Sequence, residues 1–341
     1  MSAQLVLFEM PAEQPDPVSR PVFSVVAPVF NEAETLPHFY ERVVAVMERL
    51  GETFELVLVD DGSRDTSYTL MRELARSDAR VRVVRFSRNF GHQMALSAGL
   101  DYARGHAVIM LDADLQDPPE VIPDLVARWR EGGEVVYAQR TRRHGETAFK
   151  LLSAALFYRL IGRITSVHIP ADTGDFRLLD RRVVDALIQC REQHRFLRGL
   201  SAWVGFRQVA VPYVRKERFA GETKWPLLRM VRFSLDAITG FSFVPLELAT
   251  TAGFLLAGLS LLGIVVAAAL RLFNIAIQGQ ASTLVLVLFL GGIQLIFLGI
   301  IGEYLGRIYD EVRSRPLYIV SEVTGAPVES PVSVTRRAGA P

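Results

Sequence analysis

The sequence predicts an α/β fold with a mostly parallel sheet, followed by an interfacial helix and two transmembrane helices. Two observations lead to this prediction. Short apolar runs alternate with amphipathic stretches over residues 23–138, and strands that alternate with helices favour a parallel sheet covered by helices on both faces. The composition then becomes strongly apolar near Pro245, and two long runs without charge follow.

The predicted strands and helices are clearest in the first 140 residues. Five apolar runs have the length of buried strands: Phe23–Ala27, Leu56–Val59, Val81–Phe86, Ala107–Leu111 and Val135–Ala138. Between the first two, apolar residues recur at the spacing of a helix, at Leu36, Phe39, Val43, Val46 and Leu50. We therefore predict one α/β domain at 21–223, preceded by a flexible leader at 1–20.

Two long apolar runs predict transmembrane helices. Leu248–Leu270 is 23 residues without a charge, and Leu272–Gly302 also contains no charged residue. Each run exceeds the ~20 residues needed to cross the hydrocarbon core of a bilayer. The polar linker Asn274–Ser282 predicts a tight hairpin between them. We place the hairpin at 246–306 and a C-terminal tail at 307–341; burial as core helices is the alternative, but a protein this small could hardly bury two such runs.

Basic residues lie before the first apolar run and after the second, and few lie near the linker between them. The linker has only Arg271 at its edge, whereas the basic residues of 213–232 and 307–315 are Arg215, Lys216, Arg218, Lys224, Arg229, Arg232, Arg307, Arg313 and Arg315. The positive-inside rule therefore places both flanks in the cytoplasm. We expect a multi-pass protein of the plasma (inner) membrane with a cytoplasmic domain.

Residues 224–245 are predicted to form an amphipathic helix at the membrane surface. Apolar residues recur at helical spacing at Leu227, Leu228, Val231, Leu235 and Ile238. Basic residues lie between them, which is typical of a helix in the membrane interface. A helix of the domain core fits the same pattern equally well.

Composition excludes several classes of function. A net charge of +1 over 341 residues gives no basic footprint for nucleic acid, so we expect no nucleic-acid partner. The single cysteine, Cys190, rules out an internal disulfide and a cysteine-based zinc site, and the six histidines do not have zinc-ligand spacing. No Gly-rich dinucleotide or P-loop motif is found in the sequence.

Polar clusters follow three of the predicted strands. They are Pro28–Glu32, Asp60–Asp65 and Asp112–Asp117. Ligands of open α/β sheets bind outside the carboxyl ends of the strands, so we expect the three clusters to meet at one edge. Helix caps explain single residues of this kind but not their convergence. Carboxylates gathered at one edge repel each other unless a cation or hydrogen-bond donors compensate them.

The third cluster predicts a divalent cation site. Asp112 and Asp114 are separated by one residue directly after a strand, and such oxygen ligands suit Mg²⁺ or Mn²⁺, which also hold substrate phosphates. A Ca²⁺ loop of the EF-hand type would need Gly at its sixth position and Glu at its twelfth. This chain has Asp117 and Pro123 there, which excludes that alternative.

The motifs resemble those of family 2 glycosyltransferases, which have the GT-A fold. Within that family they are most similar to the dolichyl-phosphate mannose synthase and bactoprenol glucosyltransferase group, over roughly residues 22–318. The motifs that carry the resemblance are 25–32 (VVAPVFNE), 59–65 (VDDGSRD), 112–120 (DADLQDPPE), 173–178 (TGDFRL) and 221–225 (GETKW). The resemblance implies an inverting enzyme that moves a sugar from a nucleotide-sugar, with UDP favoured, to polyprenyl phosphate.

The resemblance also implies roles for individual residues. The nucleotide-sugar is expected at Pro28, Glu32, Asp61, Ser63 and Asp112. Asp112, Asp114 and Gln116 are the expected ligands of Mg²⁺ or Mn²⁺. Asp175 resembles the proposed catalytic carboxylate, as a base or as a residue that orients the acceptor, and Asp114 is expected to take part in catalysis. An Asp175–Arg177 pair of purely structural importance is the alternative.

Cations are needed to bring two phosphate groups together. The acceptor phosphate and the donor diphosphate repel each other, and the planar guanidinium suits phosphate. The expected acceptor and diphosphate ligands are Arg140, Arg177, Arg195, Arg198 and Lys224, whereas Arg142 and Arg143 are expected to face solvent. For His92, which precedes a helix, we predict only a local structural or donor-site role.

Two further functions stay open at this stage. A processive polysaccharide synthase of the same family would show Gln-x-x-Arg-Trp, but Arg128-Trp129 lacks the glutamine. A non-catalytic membrane adaptor would have no need of the intact acidic clusters, which destabilise a fold without a cation. Gly302 and Gly306 have a spacing that packs helices, which is compatible with a homo-oligomer.

Overall fold

The computed structural model describes residues 20–141, 173–214, 244–272 and 280–325. Within these ranges, eight strands form one sheet: β1 Phe23–Val29, β2 Phe54–Asp60, β3 Val81–Phe86, β4 Ala107–Met110, β5 Val135–Arg140, β6 Thr173–Asp180, β7 Gln208–Tyr213 and β8 Val320–Thr324. The sheet order is β7-β5-β6-β4-β1-β2-β3-β8. Four neighbouring pairs are parallel, and β6 and β8 introduce the three antiparallel pairs.

Helices cover both faces of this sheet. They are α1 Leu36–Leu50, α2 Ser67–Ser77, α3 His92–Tyr102, α4 Ile122–Arg130, α5 Arg181–Gln189, α6 Leu197–Trp203, α7 Val244–Leu272 and α8 Gln280–Arg313, with a 3₁₀ turn at Pro119–Val121. One apolar core lies between the sheet and α1, α2 and α4. A second lies between the sheet and α3, α5 and α6. The predicted α/β class and all five predicted strands are confirmed.

The buried strands alternate their side chains between the two cores. Val25 and Ala27 of β1 point into the core beneath α1, whereas Val26 between them points towards α3. A Cβ atom at Gly99 of α3 would lie 2.0 Å from Val26 Cγ1, so α3 packs against β1 at the distance that only glycine permits. This close contact holds α3 against the sheet, and α3 begins at His92 beside the cleft.

Helices α7 and α8 are long and apolar. Leu246–Gly263 and Phe289–Arg313 are candidate membrane spans by length and composition. Their side chains include exposed Leu, Phe, Val and Ile residues, such as Phe254 and Leu295, which suit a lipid environment. Helix α8 starts at Gln280, so the last three residues of the predicted linker 274–282 belong to the helix.

The chain after α8 returns to the domain. The sequence predicted only a tail at 307–341, yet Val320–Thr324 forms the edge strand β8 and pairs with β3. The predicted interfacial helix at 224–245 lies outside the described residues, apart from its last two positions, which are the first two residues of α7. The other domain boundaries stay predictions.

Candidate active site

An open cleft of about 280 Å³ lies where β1, β2 and β4 end. Its lining residues are Pro28, Val29, Phe30, Glu32, Asp61, Asn89, Gly91, His92, Asp112, Ala113 and Asp114. The three polar clusters therefore meet at one edge of the sheet, and Pro28, Glu32, Asp61, Asp112 and Asp114 share one cleft as expected from the sequence. Glu32 is oriented there by Thr35, whose hydroxyl donates to the Glu32 Oε2 atom at 2.7 Å.

The loops after β1 and β2 are joined by an asparagine in an unusual conformation. Asn31 has φ of 55°, a left-handed region that Asn tolerates better than most residues. Its side-chain oxygen accepts from the Arg64 amide at 2.8 Å, and its own amide donates to Ser63 Oγ at 3.0 Å. Ser63, predicted at the nucleotide-sugar, lies behind the cleft surface and supports this junction.

Asp61 orders the loop that follows β3. Its buried carboxylate accepts the Phe90 amide at 2.7 Å and the Gly91 amide at 3.0 Å. Burial raises the pKa of Asp61. The next residue, Gly62, has φ of 73°, and a Cβ atom there would lie 2.6 Å from the carbonyl carbon of Arg88. The β3 loop thus rests directly on the Asp61–Gly62 turn.

The loop after β4 contains the predicted cation ligands. Leu115 has φ of 59° and its side chain is buried in the core, so packing holds a backbone conformation that is costly for leucine. The Gln116 amide donates to Asp114 Oδ1 at 3.1 Å. Burial raises the pKa of Asp112 to about 6, with nearby carboxylates adding to the rise.

The oxygen atoms of this loop could supply part of the coordination of a divalent cation. Asp112 Oδ1 is buried and accepts no hydrogen bond from the described residues. No group of three His, Cys, Asp or Glu side chains within those residues converges into a complete metal cluster. Mg²⁺ is commonly held by one or two carboxylates together with substrate phosphates and water. The site at Asp112, Asp114 and Gln116 thus stays a prediction, supported by the unsatisfied oxygen.

Asp175 lies at the centre of a charged network. It is 4% exposed, and Arg198 donates two hydrogen bonds to its carboxylate, from Nε at 2.8 Å and from Nη2 at 3.0 Å. Gln93 Nε2 donates to the same carboxylate at 3.2 Å. Burial alone would raise the pKa of Asp175, but Arg198 and His92 hold it well below its usual range. The carboxylate is therefore ionised and fixed in orientation.

His92 connects the two acidic groups. Its Nε2 atom lies 3.3 Å from Asp175 Oδ2 and 3.5 Å from Asp112 Oδ1. Burial would lower the pKa of His92, but the Asp175 hydrogen bond and the charges of Asp112 and Asp175 raise it to about 9. The sequence predicted a local structural or donor-site role for His92 but not its contact with Asp175. The one available signal was its position at the start of a helix at the carboxyl edge of the sheet.

Arg140 joins the site through a tyrosine that the sequence did not suggest. Arg140 Nε donates to the Tyr213 hydroxyl at 3.2 Å, and that hydroxyl donates to Asp117 Oδ1. A Cβ atom at Gly174 would lie 2.9 Å from Arg140 Nη2. The ends of β5, β6 and β7 are thereby brought against the loop that contains Asp112 and Asp114.

Two of the predicted phosphate ligands do not reach the cleft. Arg177 is 3% exposed and donates to Gly174 O at 2.9 Å and to Ser201 Oγ; burial lowers its pKa to about 10. Arg195 is 6% exposed and donates to Leu187 O at 2.8 Å. Both residues are buried, and neither lines the described cleft. Lys224, Arg142 and Arg143 lie outside the described residues.

Comparison with known proteins adds independent observations. The sequence model described as glycosyl transferase family 2 matches residues 24–188. An uncharacterized glycosyltransferase of Bacillus subtilis is 51% identical over 304 residues, 89% of this chain and 94% of that protein. One of Synechocystis is 49% identical over 306 residues, 89% and 95% of the two chains. A bactoprenol glucosyl transferase of Shigella phage SfII is 42% identical over 300 residues, 88% and 97% of the two chains.

Proposed function

Because this chain belongs to glycosyltransferase family 2, we propose that it transfers a sugar from a UDP-linked donor to polyprenyl phosphate, with inversion at the anomeric carbon. One observation carries the proposal: three acidic or polar strand-end clusters converge on a single cleft, in a chain that also has two helices long enough to span a membrane. The family membership, together with the observed sheet, confirms the predicted GT-A domain and the enzyme class.

The donor is proposed to bind in the cleft lined by Pro28, Glu32 and Asp61. Asp61 keeps lone pairs for a ligand besides the two amides of the β3 loop, since a carboxylate has about four acceptor sites. Asp112, Asp114 and Gln116 would hold Mg²⁺ or Mn²⁺ beside the diphosphate. When bound, such an ion stabilises negative charge on the departing nucleotide.

The acceptor chemistry suits the charged network around Asp175. A phosphate monoester is largely ionised at neutral pH, because its second pKa is ~6. Its oxygen attacks the anomeric carbon, and the bond from that carbon to the β-phosphate oxygen breaks, so the nucleotide leaves with the electron pair. No proton transfer is required. Arg198 and Arg140 are proposed to guide the acceptor phosphate, while Asp175 fixes the direction of Arg198 and His92.

The membrane supplies the acceptor in this proposal. The relative from Shigella phage SfII is described as a bactoprenol glucosyl transferase, and we extend its lipid acceptor to this chain. Helices α7 and α8 would anchor the domain at the cytoplasmic leaflet, where the basic flanks place it. The product would be a polyprenyl-monophosphate sugar for cell-envelope glycan or lipid modification.

Transfer of radiolabelled sugar tests the proposal. Purified full-length protein would be given a panel of UDP- and GDP-sugars, undecaprenyl phosphate, and Mg²⁺ or Mn²⁺. We expect a labelled lipid that is lost with EDTA and in the Asp114→Ala and Asp175→Ala variants. Asp124→Ala, an exposed carboxylate on α4, is the matched control and should retain activity. A folded wild-type protein that gives no product with any donor would contradict the proposal.

A further inference from the structure

The C-terminal end of α8 contacts the loop between α5 and α6. The Gln193 amide donates to Glu311 Oε1 at 2.7 Å, and the Gln193 side chain donates to Arg315 O. His194 Nε2 lies 3.2 Å from Asp310 Oδ2. A helix that is a candidate membrane span is thus bonded to two consecutive residues of a short loop in the domain.

The same loop leads directly to the charged network of the active site. Leu197, the first residue of α6, donates its amide to Gln93 Oε1 at 3.0 Å, and the Gln93 side chain donates to Asp175. Arg198, the residue after Leu197, donates two hydrogen bonds to the Asp175 carboxylate. Gln193 and Arg198 are only five positions apart, so a displacement at one end of this segment reaches the other.

Helix α6 cannot fix Arg198 by itself. It has seven residues, and its N-cap position is Phe196, whose side chain cannot accept a hydrogen bond. Helices of this length are marginal without tertiary contacts, and Arg198 lies in the first turn, where helices fray. The start of α6 therefore depends on the loop before it.

The chain that directly follows α8 is also held against the domain. Tyr318 stacks on Phe86 with ring centroids 4.9 Å apart, and its hydroxyl donates to Asp101. Arg191, at the start of the same loop, donates to Asp101 with two bonds of 2.8 Å. Strand β8 then continues the sheet. The loop is consequently held at Arg191 and again at Gln193.

We propose that Asp310 and Glu311 of α8 are positioning residues, which hold the 193–198 segment so that Arg198 and Asp175 stand in the geometry needed for transfer. The inference rests on the proposed function and assigns part of the membrane anchor to the active site. Neither acid touches the cleft, so they act only through Gln193, His194 and the segment that follows.

Matched substitutions in the full-length, detergent-solubilised protein test this proposal. Asp310→Ala with Glu311→Ala removes both acceptors, whereas Asp310→Asn with Glu311→Gln retains an oxygen at each position. We expect kcat to fall about tenfold in the alanine pair, as small misplacements of catalytic groups do, with the KM for nucleotide-sugar unchanged. The amide pair should recover most of the loss. Glu303→Ala, on the same helix with Arg307 as its partner, is the control.

A double-mutant cycle separates positioning from general destabilisation. Arg198→Lys keeps the positive charge but cannot donate the pair of hydrogen bonds that Arg198 makes to the Asp175 carboxylate. If α8 acts through Arg198, the alanine pair should lower kcat less than about twofold further in the Arg198→Lys background, because coupled residues are not additive. A full additional tenfold loss, or an unchanged kcat in the alanine pair alone, would overturn the inference.

Hydrogen–deuterium exchange decides the question even if the transfer reaction differs from the one proposed. The alanine pair should speed exchange of the amides at 193–203 relative to the amide pair, with the β1 and β2 amides unchanged. Equal exchange at 193–203 in both pairs would refute the positioning contact. Failure of the proposed function would instead appear as absent lipid product in the wild-type protein.

Discussion

At the scale of single residues, the site depends on carboxylates whose partners come from distant parts of the chain. Asp175 is held by Arg198 and by His92, which is 83 residues away in the sequence. Asp117 accepts from Tyr213, which is 96 residues away. The charges at the carboxyl edge of the sheet are therefore balanced by tertiary contacts.

Replacing His92 should impair catalysis more than folding. His92→Ala removes the positive charge between Asp112 and Asp175, so two carboxylates would repel each other at the donor cleft. We expect kcat to fall by about tenfold or more, on the order of other preorganised electrostatic contacts. The measurement is steady-state sugar transfer, with His106→Ala, an exposed histidine away from the cleft, as the control. Equal loss in both variants would contradict this role.

Tyr213 should matter for the loop that contains the proposed cation ligands. Tyr213→Phe removes a hydrogen bond to buried Asp117 and one from Arg140. Loss of a partner for a buried charged group costs about 1–3 kcal/mol. We expect a lower unfolding midpoint and weaker UDP-sugar binding by calorimetry. Tyr137→Phe, on neighbouring β5, is the matched control, and a binding constant equal to that of the wild type would argue against the loop contact.

A residue of the site could be predicted from the sequence when it directly follows an apolar strand, but not when tertiary contacts alone bring it to the site. Asp61, Asp112 and Asp114 directly follow apolar strands, so the topology of a parallel sheet brings them together. His92 and Tyr213 belong to no such pattern, since their importance comes from side-chain contacts across the fold. Arg177 and Arg195 were expected at a phosphate because composition does not reveal burial, and the structure buries both.

At the scale of elements, local pattern predicted the strands that are buried on both faces and the helix α1. The sequence pattern does not predict β6 and β7 as strands, because residues 173–178 carry a site motif and β7 is only partly buried. β8 is short and mostly exposed, so it has no strong hydrophobic signal. Its pairing with β3 depends on the path of the chain through α7 and α8.

The contacts of Asp78 with Arg80 and Tyr40 should make the free energy of unfolding depend on pH. Asp78 accepts from Arg80 at the start of β3 and from the Tyr40 hydroxyl of α1 at 2.8 Å. Hydrogen bonds from Arg80 lower the pKa of Asp78 to about 2. Because the folded pKa lies below the unfolded value of ~3.9, the stabilisation is complete above that value and is lost as the pH falls towards 2.

The variant that tests the Asp78 contacts is Asp78→Asn. We expect it to reduce the free energy of unfolding at neutral pH by about 1–2 kcal/mol, a figure lowered for the partial exposure of Arg80. The difference from the wild type should shrink between about pH 4 and pH 2. Denaturant unfolding of the purified protein across this range is the measurement. A difference that stays constant with pH would show that the lost contact is not the ionic one.

At the scale of the whole molecule, α8 is longer than a membrane requires. Its 34 residues extend ~51 Å at 1.5 Å per residue, whereas the hydrocarbon core is ~30 Å thick. The uncharged run ends at Gly302, and the helix continues with charged residues from Glu303 to Arg313. The last turns of α8 therefore belong with the domain, which they contact at Gln193 and His194.

The proposed orientation can be tested by cysteine labelling, since Cys190 is the single cysteine of the sequence. In intact cells, a membrane-impermeant maleimide should not label Cys190 but should label Ser282→Cys at the hairpin in a Cys190→Ser background. This is expected because the basic flanks place the domain inside and the hairpin outside. Labelling of both sites after lysis is the control. Labelling of Cys190 in intact cells would reverse the orientation.

The pairing of β8 with β3 has a consequence for biosynthesis. Val84 of β3 pairs with Val323, so the sheet acquires its last strand only after α7 and α8 have been synthesised. Until then β3 is an open edge, which is a site of aggregation. We expect nascent chains halted before residue 320 to be more sensitive to protease around β3 than longer ones. Closure of the sheet would then coincide with completed insertion of the hairpin, linking the maturation of the catalytic domain to its delivery to the membrane.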